Sequence, residues 1–332
     1  MDIPIWLWCV TLGVTTTLLV VDIFIIGRRP HEPSRREVSL GLAFYVGLAV
    51  LFGLGVWYFA GGEFGSEFFA GWLTEYSLSI DNLFIFIIIM SKLKVPGRYQ
   101  QGALLVGIVL ALVMRGVFIA VGAAAINNFS WVFYIFGAFL VYTAVKLAKK
   151  GPEEEDEFEE SRLVRWVEQR LPATKEYHGT KIMIRQNGQR LITPMFIVVL
   201  ALGTTDLLFA LDSIPAIYGL THEPYLVLTA NIFALMGLRQ LYFLIGGLLK
   251  RLVFLSYGLA ALLAFIGVKL VLHALHENEL PFINGGEPVA WAPDIPISVS
   301  LAAIVGTLAV TTVASLVATR TRATSGASAP RR

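Results

Sequence analysis

The chain has 332 residues, of which 56% belong to the hydrophobic set and only 15% are charged. Soluble domains carry about 25% charged residues, because polar groups must cover their surface. The composition therefore excludes a soluble globule and a disordered chain. The single cysteine, Cys9, also excludes a scaffold held by intrachain disulfides. What remains is a polytopic helical membrane protein.

Nine apolar stretches approach the roughly 20 residues that a membrane-spanning helix needs. They cover residues 5–27, 38–60, 67–90, 102–124, 129–147, 194–218, 225–248, 254–274 and 297–318. The first contains Asp22 and follows no basic segment, so we interpret it as a retained helix and not as a signal peptide. We predict an all-α polytopic fold, with helices 1–5 within residues 1–147 and helices 6–9 within residues 194–318.

The basic residues predict the orientation, because cytoplasmic loops carry an excess of Lys and Arg. They fall in alternate loops and in the tail: Arg28, Arg29, Arg35 and Arg36, then Lys92, Lys94 and Arg98, then Lys250 and Arg251, then Arg320, Arg322, Arg331 and Arg332. The opposite loops carry neither Lys nor Arg. We therefore predict a multi-pass protein of the inner (cytoplasmic) cell membrane with its N-terminus outside and its C-terminus inside.

A long polar segment, residues 148–193, separates the fifth and sixth spans. It contains an acidic run at 153–160, an amphipathic stretch at 161–171, and residues that alternate around Asn187–Gly188, which is typical of a hairpin turn. We predict a cytoplasmic acidic insert with a short helix and a hairpin. The acidic run is either a solvated loop or a collector of divalent cations at the cytoplasmic mouth. Residues 319–332 are expected to form a disordered cytoplasmic tail.

Two spans resemble each other in sequence and predict an inverted repeat. The segment T74-EYSLSIDN-82 aligns without a gap on T205-DLLFALDS-213, so that Glu75 matches Asp206 and Asp81 matches Asp212. Arg115 likewise matches Arg239, and Y134-IFGAFLVYTAVKL-147 matches Y257-GLAALLAFIGVKL-270. Each unit holds three spans, residues 67–147 and 194–274, so the second enters the membrane from the opposite side. Such 3+3 repeats are typical of secondary transporters, whose substrate sites lie between the repeats.

Charged side chains inside the spans mark the candidate site, because each costs about 2.5–3.5 kcal/mol at a helix centre. Five carboxylates lie there, whereas Arg115 and Arg239 supply two counter-ions, so a bound divalent cation or protonation must balance the rest. The candidate ligands are all oxygen donors: Glu75, Asp81, Asn82, Asp206, Asp212 and Ser213, with Asp22 and Asn231 in addition. Such ligands suit Mg²⁺, Ca²⁺ and Mn²⁺.

Structural interpretations of the same residues stay open. The acids can serve as interhelical ion pairs with the two arginines, Asp22 can serve packing as well as an ion path, and Asn231 can simply bond a neighbouring helix. Glu75 and Asp81 are also about 120° apart on an ideal helix. Either the third span unwinds near Ser77–Asn82, or the two acids serve different neighbours. In the sixth span we expect a broken helix at D212-SIP-215, because Pro215 removes a backbone donor.

The segments F69-AGWLTEYSLSIDNLFIF-86, D206-LLFALDSIPAI-217 and N231-IFALMGLRQLYFL-244 resemble the TerC family of integral membrane proteins, and its Alx-like branch most. The likeness runs from about residue 5 to 318 and includes the cytoplasmic insert. It implies a 3+3 inverted repeat and a link to manganese export, to tellurium resistance or, in plastids, to thylakoid biogenesis. The family's acidic motif positions correspond to Glu75, Asp81, Asn82, Asp206, Asp212 and Ser213, and its first-helix acid corresponds to Asp22.

The resulting hypothesis is a secondary transporter that exports Mn²⁺ as its substrate by alternating access, with proton exchange as the natural coupling. Its partners are the lipid bilayer, the divalent cation and protons. We expect no nucleic acid, no resident cofactor and no enzymatic activity, since the chain has neither a nucleotide-binding loop nor a nucleophile beside a base. The alternatives are a non-transporting scaffold for membrane assembly or stress, and a transporter for Ca²⁺ or for tellurium resistance. The oligomeric state does not follow from the sequence.

Overall fold

The structure is a computed structural model that describes residues 3–28, 31–150, 172, 174, 176–186, 189–245 and 254–326. Nine helices in these ranges are long and apolar enough to cross a membrane, which confirms the predicted polytopic fold. The helices are α1 (Ile5–Arg28), α2 (Arg35–Ala60), α3 (Gly62–Lys92), α4 (Gly97–Asn128), α5 (Val132–Lys150), α6 (Pro194–Tyr218), α7 (Pro224–Ile245), α8 (Leu255–His276) and α9 (Ile297–Gly326).

Helices are the expected solution because lipid offers no hydrogen-bond partner to the backbone, so each segment must satisfy its own donors and acceptors. Prolines and a glycine set several boundaries. Pro194 and Pro224 are the first residues of α6 and α7, where a missing donor costs nothing. Gly61 separates α2 from α3 with a φ of 109°, a conformation that disfavours residues with a side chain.

The expected break in the sixth span is wrong. Helix α6 continues through Pro215 to Tyr218, and α3 is likewise continuous across Ser77–Asn82. Pro215 lies in the last turn of its helix, where it removes one donor, and its own carbonyl accepts a hydrogen bond from Gly219 N at 3.0 Å. Backbone carbonyls freed by an unwound segment are therefore not part of the candidate site.

The helices form an inner and an outer group. Helix α7 is the most buried span, whereas α1 and α9 are peripheral and expose most of their length. Within the inner group, α3 packs on α7, α4 packs on α6, and α5 packs on α8. Helices α3 and α6 also contact each other, as do α4 and α7. The contact surface between α3–α5 and α6–α8 is thus the centre of the bundle.

The residue contacts at this centre follow the sequence alignment. Gly71 of α3 faces Ala230 of α7, and Gly107 of α4 faces Leu202 of α6. When Thr74 is aligned with Thr205, Gly71 is aligned with Leu202. When Arg115 is aligned with Arg239, Gly107 is aligned with Asn231, the neighbour of Ala230. The contact between α3 and α7 therefore corresponds to the contact between α6 and α4 to within one residue.

Helices α5 and α8 approach each other through two glycines. A Cβ atom on Gly137 would lie 2.7 Å from the carbonyl oxygen of Gly267, and a Cβ on Gly267 would lie 2.9 Å from that of Gly137. Small residues let transmembrane helices come this close. Backbone contacts backbone at this crossing, with Val141 and Val271 packing beside it.

The hairpin of the insert is present. Strands β1 (Met183–Gln186) and β2 (Gln189–Ile192) pair antiparallel, with Gln186 opposite Gln189. The Tyr177 hydroxyl donates to the Leu93 carbonyl at 2.7 Å and so fixes the insert to the end of α3. The acidic run at 153–160, the amphipathic stretch at 161–171, the turn residues Asn187 and Gly188, and Lys250 and Arg251 lie outside the described residues.

The last helix is longer than predicted. Helix α9 extends to Gly326, so residues 319–326 are helical and the expected disordered tail does not begin at 319. Residues 327–332 lie outside the described part of the chain.

The glycine crossing generates a stability prediction. Replacing Gly137 with Ala should destabilise the protein by about 1–3 kcal/mol, because the methyl group overpacks the contact with Gly267. Gly47→Ala in α2 is the matched control, since a Cβ there meets no described atom within 4 Å. The control should be neutral or stabilising, as alanine favours helix over glycine. Thermal unfolding of the two purified variants in detergent decides between them, and equal melting temperatures would contradict the packing.

Candidate functional site

One buried arginine joins four helices at the centre of the bundle. Arg115 of α4 is 1% exposed, and its guanidinium donates to Asp206 through Nε at 3.2 Å and Nη2 at 3.1 Å. Its Nη1 donates to Glu75 Oε1, to Asn231 Oδ1 at 2.9 Å and to Ser213 Oγ at 3.2 Å. We call these five residues the Arg115 cluster. It contains two acids and one base, so it carries a net negative charge when all three are ionised.

The neighbouring backbone and side chains orient this cluster. Asn231 donates through Nδ2 to the Val227 carbonyl at 3.0 Å, which turns its Oδ1 toward the arginine. Ser79 lies one turn after Glu75 and donates to the same carboxyl at 3.4 Å. Because each side chain is held from its own helix, the guanidinium fixes the positions of α3, α6 and α7 around α4.

Some buried polar atoms of α3 remain without a partner among the described residues. They are Glu75 Oε2, Thr74 Oγ1 and Ser77 Oγ. Buried polar groups in native proteins are nearly always hydrogen-bonded, and one that is not costs about 1–3 kcal/mol. The part of α3 that carries Glu75 therefore has more buried polar atoms than the described residues can pair by hydrogen bonds.

A separate cavity of about 220 Å³ is lined by four helices, α3, α5, α6 and α8. Its polar lining consists of Asp81 and Asn82 from α3, Thr143 and Lys146 from α5, and Asp212 from α6. Thr143 donates to Asp212 Oδ1 at 3.1 Å. We call this space the Asp81–Asp212 cavity. A water occupies roughly 30 Å³ of liquid volume, so the cavity has room for a cation with part of its hydration shell.

A second ion pair lies between α1 and α7. Arg239 Nη2 is 3.1 Å from Asp22 Oδ2, and the Tyr45 hydroxyl of α2 donates to the same oxygen at 2.8 Å. The pair lines a separate cavity of about 470 Å³ that also includes Glu37 and Gln101. Asp22 therefore serves a different place in the protein from the acids of α3 and α6.

The structure thus divides the eight predicted ligands into three groups. Glu75, Asp206, Ser213 and Asn231 surround Arg115; Asp81, Asn82 and Asp212 line the Asp81–Asp212 cavity; and Asp22 pairs with Arg239. Within the described ranges, no three His, Cys, Asp or Glu side chains converge closely enough to hold one metal ion. The two acids of α3 serve different neighbours, as their separation on the helix allowed.

Sequence reasoning missed Thr143, Tyr45 and Lys146 as members of these groups. Threonine and tyrosine are common in membrane helices, and their hydroxyls gain significance only from the carboxylates that they contact. Lys146 lies three residues after Thr143, on the same face of α5, and that spacing was the available signal. The lysine lines the cavity that both acids line.

At the opposite end of α5 a polar pocket of about 230 Å³ lies between α3, α8 and the α6–α7 loop. The ring of His222 stacks on Phe133 with centroids 4.9 Å apart and lies 4.8 Å from the ring of His273. Desolvation in this packing, together with the nearby His273 and Lys269, lowers the pKa of His222 to about 4, although Asp294 opposes the shift. The histidine is therefore neutral at pH 7.

These features define a class, a polytopic membrane protein with charged clusters between its helices. The chain belongs to the TerC family, because the model of the integral membrane protein TerC family matches residues 60–323. This confirms the resemblance found in the motifs. No solved structure matches the chain.

Three relatives illustrate its place in the family. The membrane protein Rv2723 of Mycobacterium tuberculosis, named as uncharacterized, is 46% identical over 330 residues, which cover 98% of this chain and 82% of the relative. STKORF319 of Myxococcus xanthus, likewise named, is 37% identical over 98% of this chain and 96% of the relative. An Escherichia coli protein named for a proposed role as membrane-bound redox modulator, Alx, is 34% identical over 92% of both chains.

The Arg115 cluster generates a mutational prediction. Arg115→Met should destabilise the protein by about 3–5 kcal/mol, because Glu75 and Asp206 would remain as buried charges without a base. Neutralising both acids as well, with Glu75→Gln and Asp206→Asn, should recover much of that loss. Arg98→Met, at an exposed arginine in the first turn of α4, is the control and should change little. Thermal unfolding in detergent measures all three, and an Arg115→Met protein as stable as the control would refute the assignment.

His222 generates a prediction about pH. Its pKa of about 4 lies below the ordinary histidine value of about 6.5, so the folded state favours the neutral ring. As the pH falls from 6.5 toward 4, the unfolded state binds the proton first and stability is lost. His222→Phe keeps the stacking and should reduce this acid loss, whereas His178→Gln on the insert should not. Melting temperatures between pH 7 and 4.5 test this, and parallel curves for the parent and His222→Phe would contradict it.

Proposed function

We propose that the protein is a secondary transporter that exports a divalent cation, with Mn²⁺ as the favoured substrate, across the cell membrane by alternating access. The observation that carries the proposal is that Asp81 and Asp212, the matching acids of the two aligned motifs, line one cavity together with Asn82 and Thr143. The aligned motifs thus contribute to one shared space, as substrate sites between repeats do.

The chemistry of the cavity favours a hard cation. Its two carboxylates, an amide and a hydroxyl offer oxygen ligands only, which suit Mg²⁺, Ca²⁺ and Mn²⁺ better than Cu⁺ or Zn²⁺. Lys146 supplies one positive charge against the two acids, so an anionic substrate would meet a surplus of negative charge. The choice of Mn²⁺ among the hard cations rests on the resemblance to the TerC family.

The helix packing supports alternating access. Helix α3 contacts α7 as α4 contacts α6, and the motif offsets relate the two contacts, which is the arrangement that an inverted repeat would give. The Asp81–Asp212 cavity lies near Lys146 and Leu147 at the end of α5 and near Leu259 at the start of α8, on the side where the basic loops predict the cytoplasm. The aligned positions of Lys146 and Leu147 on the other side, Lys269 and Leu270, line the separate polar pocket beside His222, which includes none of the motif acids. Because the cavity that holds two motif acids lies on the predicted cytoplasmic side, we interpret this conformation as inward-facing.

Proton exchange follows from the same site. When the cation leaves, the carboxylates remain in surroundings of low polarity, where desolvation favours their neutral, protonated form. A cation released outside would then be replaced by protons that return inward. The cation path itself runs through the protein's own side chains and needs no resident cofactor.

The cavity acids generate a test in cells. Asp81→Asn and Asp212→Asn should each abolish export, because each removes a charged ligand, so cells under Mn²⁺ load should accumulate several-fold more Mn²⁺ than cells with the parent protein. Glu287→Gln, at an exposed loop acid between α8 and α9, is the matched control and should export normally. The proposal falls if the aspartate variants are expressed equally and leave the Mn²⁺ content unchanged.

Inside-out vesicles extend the same test to the choice of ion and the coupling. Uptake of Mn²⁺, Ca²⁺ and Mg²⁺ is compared at imposed pH gradients, with the Asp81→Asn protein as the inactive reference. Faster uptake of Mn²⁺ than of the other two, accelerated by an acidic lumen, supports Mn²⁺–proton exchange. If no ion moves faster than in vesicles without the protein, transport is excluded and a scaffold role becomes the better hypothesis.

A further inference from the structure

The two aligned arginines occupy unequal places. Arg115 lies between Glu75 and Asp206, whereas Arg239, its counterpart in the second unit, lies 3.1 Å from Asp22 on α1. Helix α1 stands outside the repeat, so the first unit has no equivalent of this contact. The matching acids of the two units therefore lie at shared sites, whereas the matching arginines lie at different sites.

The alignment names two acids as further partners for Arg239. Matching Glu75 with Asp206 and Arg115 with Arg239 converts the two contacts of Arg115 into contacts of Arg239 with Glu75 and with Asp206. Of these two acids, only Glu75 has a carboxyl oxygen without a partner within the described residues. Helices α3 and α7 are in contact near these residues, because a Cβ on Gly237 would lie 3.5 Å from the ring of Tyr76. Arg239 lies two residues after Gly237, about 200° around the helix, so binding Glu75 requires α7 to rotate or the arginine side chain to swing around it.

The two groups are also incompletely satisfied. Glu75 Oε2 and Arg239 Nη1 are both buried, and neither has a hydrogen-bond partner within the described residues. The first is a hydrogen-bond acceptor on a negatively charged group, and the second is a hydrogen-bond donor on a positively charged group. Asp206 meanwhile receives two donors from Arg115 and would keep both if Glu75 found another base.

We infer that Arg239 is a switch residue that leaves Asp22 and binds Glu75 when the transporter turns outward, while Arg115 stays on Asp206. Each of the paired acids then has its own arginine, and Asp22 is released beside Tyr45. The inference rests on the proposed alternating access, since it assigns the two arginine positions to the two directions of opening. In the inward-facing conformation, Asp22 and Tyr45 hold Arg239 away from the centre.

The reporters for the switch come from the alignment of α5 with α8. In a background of Cys9→Ala, Leu147→Cys marks the Asp81–Asp212 cavity, and Leu270→Cys marks the matching position on the other side. Leu270 is 1% exposed and lines the polar pocket beside His222, so its reaction with a thiol reagent should accelerate when that pocket opens toward the centre. The ratio of the two labelling rates in reconstituted protein reports the balance of the two conformations.

Asp22→Asn is the test variant, because it removes the charge that retains Arg239. The ratio of Leu270→Cys to Leu147→Cys labelling should rise at least tenfold, a shift of about 1.4 kcal/mol. Tyr45→Phe, which removes only a hydrogen bond to Asp22, should shift it in the same direction by less. Glu37→Gln, an acid of the same cavity that does not contact Arg239 in the structure, should leave it unchanged. Adding Glu75→Gln to Asp22→Asn should return the ratio toward the parent value, because Arg239 then has no acid to bind.

The outcomes separate this inference from the proposed function. A ratio in Asp22→Asn equal to that in Glu37→Gln, in protein with an unchanged melting temperature, overturns the switch. If Asp22→Asn does not fold, the labelling ratio in Tyr45→Phe decides instead, and an unshifted ratio there overturns the switch as well.

If the switch is overturned but vesicles carrying the parent protein transport Mn²⁺, alternating access stands and only the arginine exchange is lost. If the ratio shifts as expected but no cation moves, the exchange stands and the transport proposal fails.

Discussion

The protein depends on the neutralisation of carboxylates inside an apolar bundle. Glu75 and Asp206 are almost fully buried, and in lipid-like surroundings two such charges would be too costly without a base. Arg115 meets this demand with a planar fork whose donors have fixed directions. Because those directions are fixed, the helices that carry its partners are held in place in this conformation. The neutralisation of the buried acids and the packing of α3, α4, α6 and α7 therefore depend on the same contacts.

Much of the fold follows from the sequence because its dominant signals are local. An apolar stretch of about 20 residues reports a spanning helix without any knowledge of its neighbours, and an Asn-Gly pair between alternating residues reports a hairpin. The expectation of a break at Pro215 is wrong because the effect of a proline is not local. It depends on how much helix follows, and here the helix ends three residues later at Tyr218.

The site was harder to predict because it depends on which helices face one another. The sequence identifies the acids as exceptional, but it does not reveal that one arginine contacts both Glu75 and Asp206 while the other contacts Asp22. Nor does it reveal that the first and last acids of each motif serve different places. That division follows from helical geometry, since residues six apart point in different directions. The first acids lie against the arginine, and the last acids line the cavity.

The position of Asp22 on α1 has one more consequence. Helix α1 packs on its neighbours over little of its surface, so most of its 24 residues face away from the bundle. In a bilayer, a helix so little held by its neighbours can adjust its tilt and depth to the thickness of the hydrocarbon layer, at a cost of fractions of a kcal/mol per ångström of mismatch. Asp22 links that adjustment to Arg239. The surrounding membrane thus contributes to the free energy of an ion pair that lies between two helices of the protein.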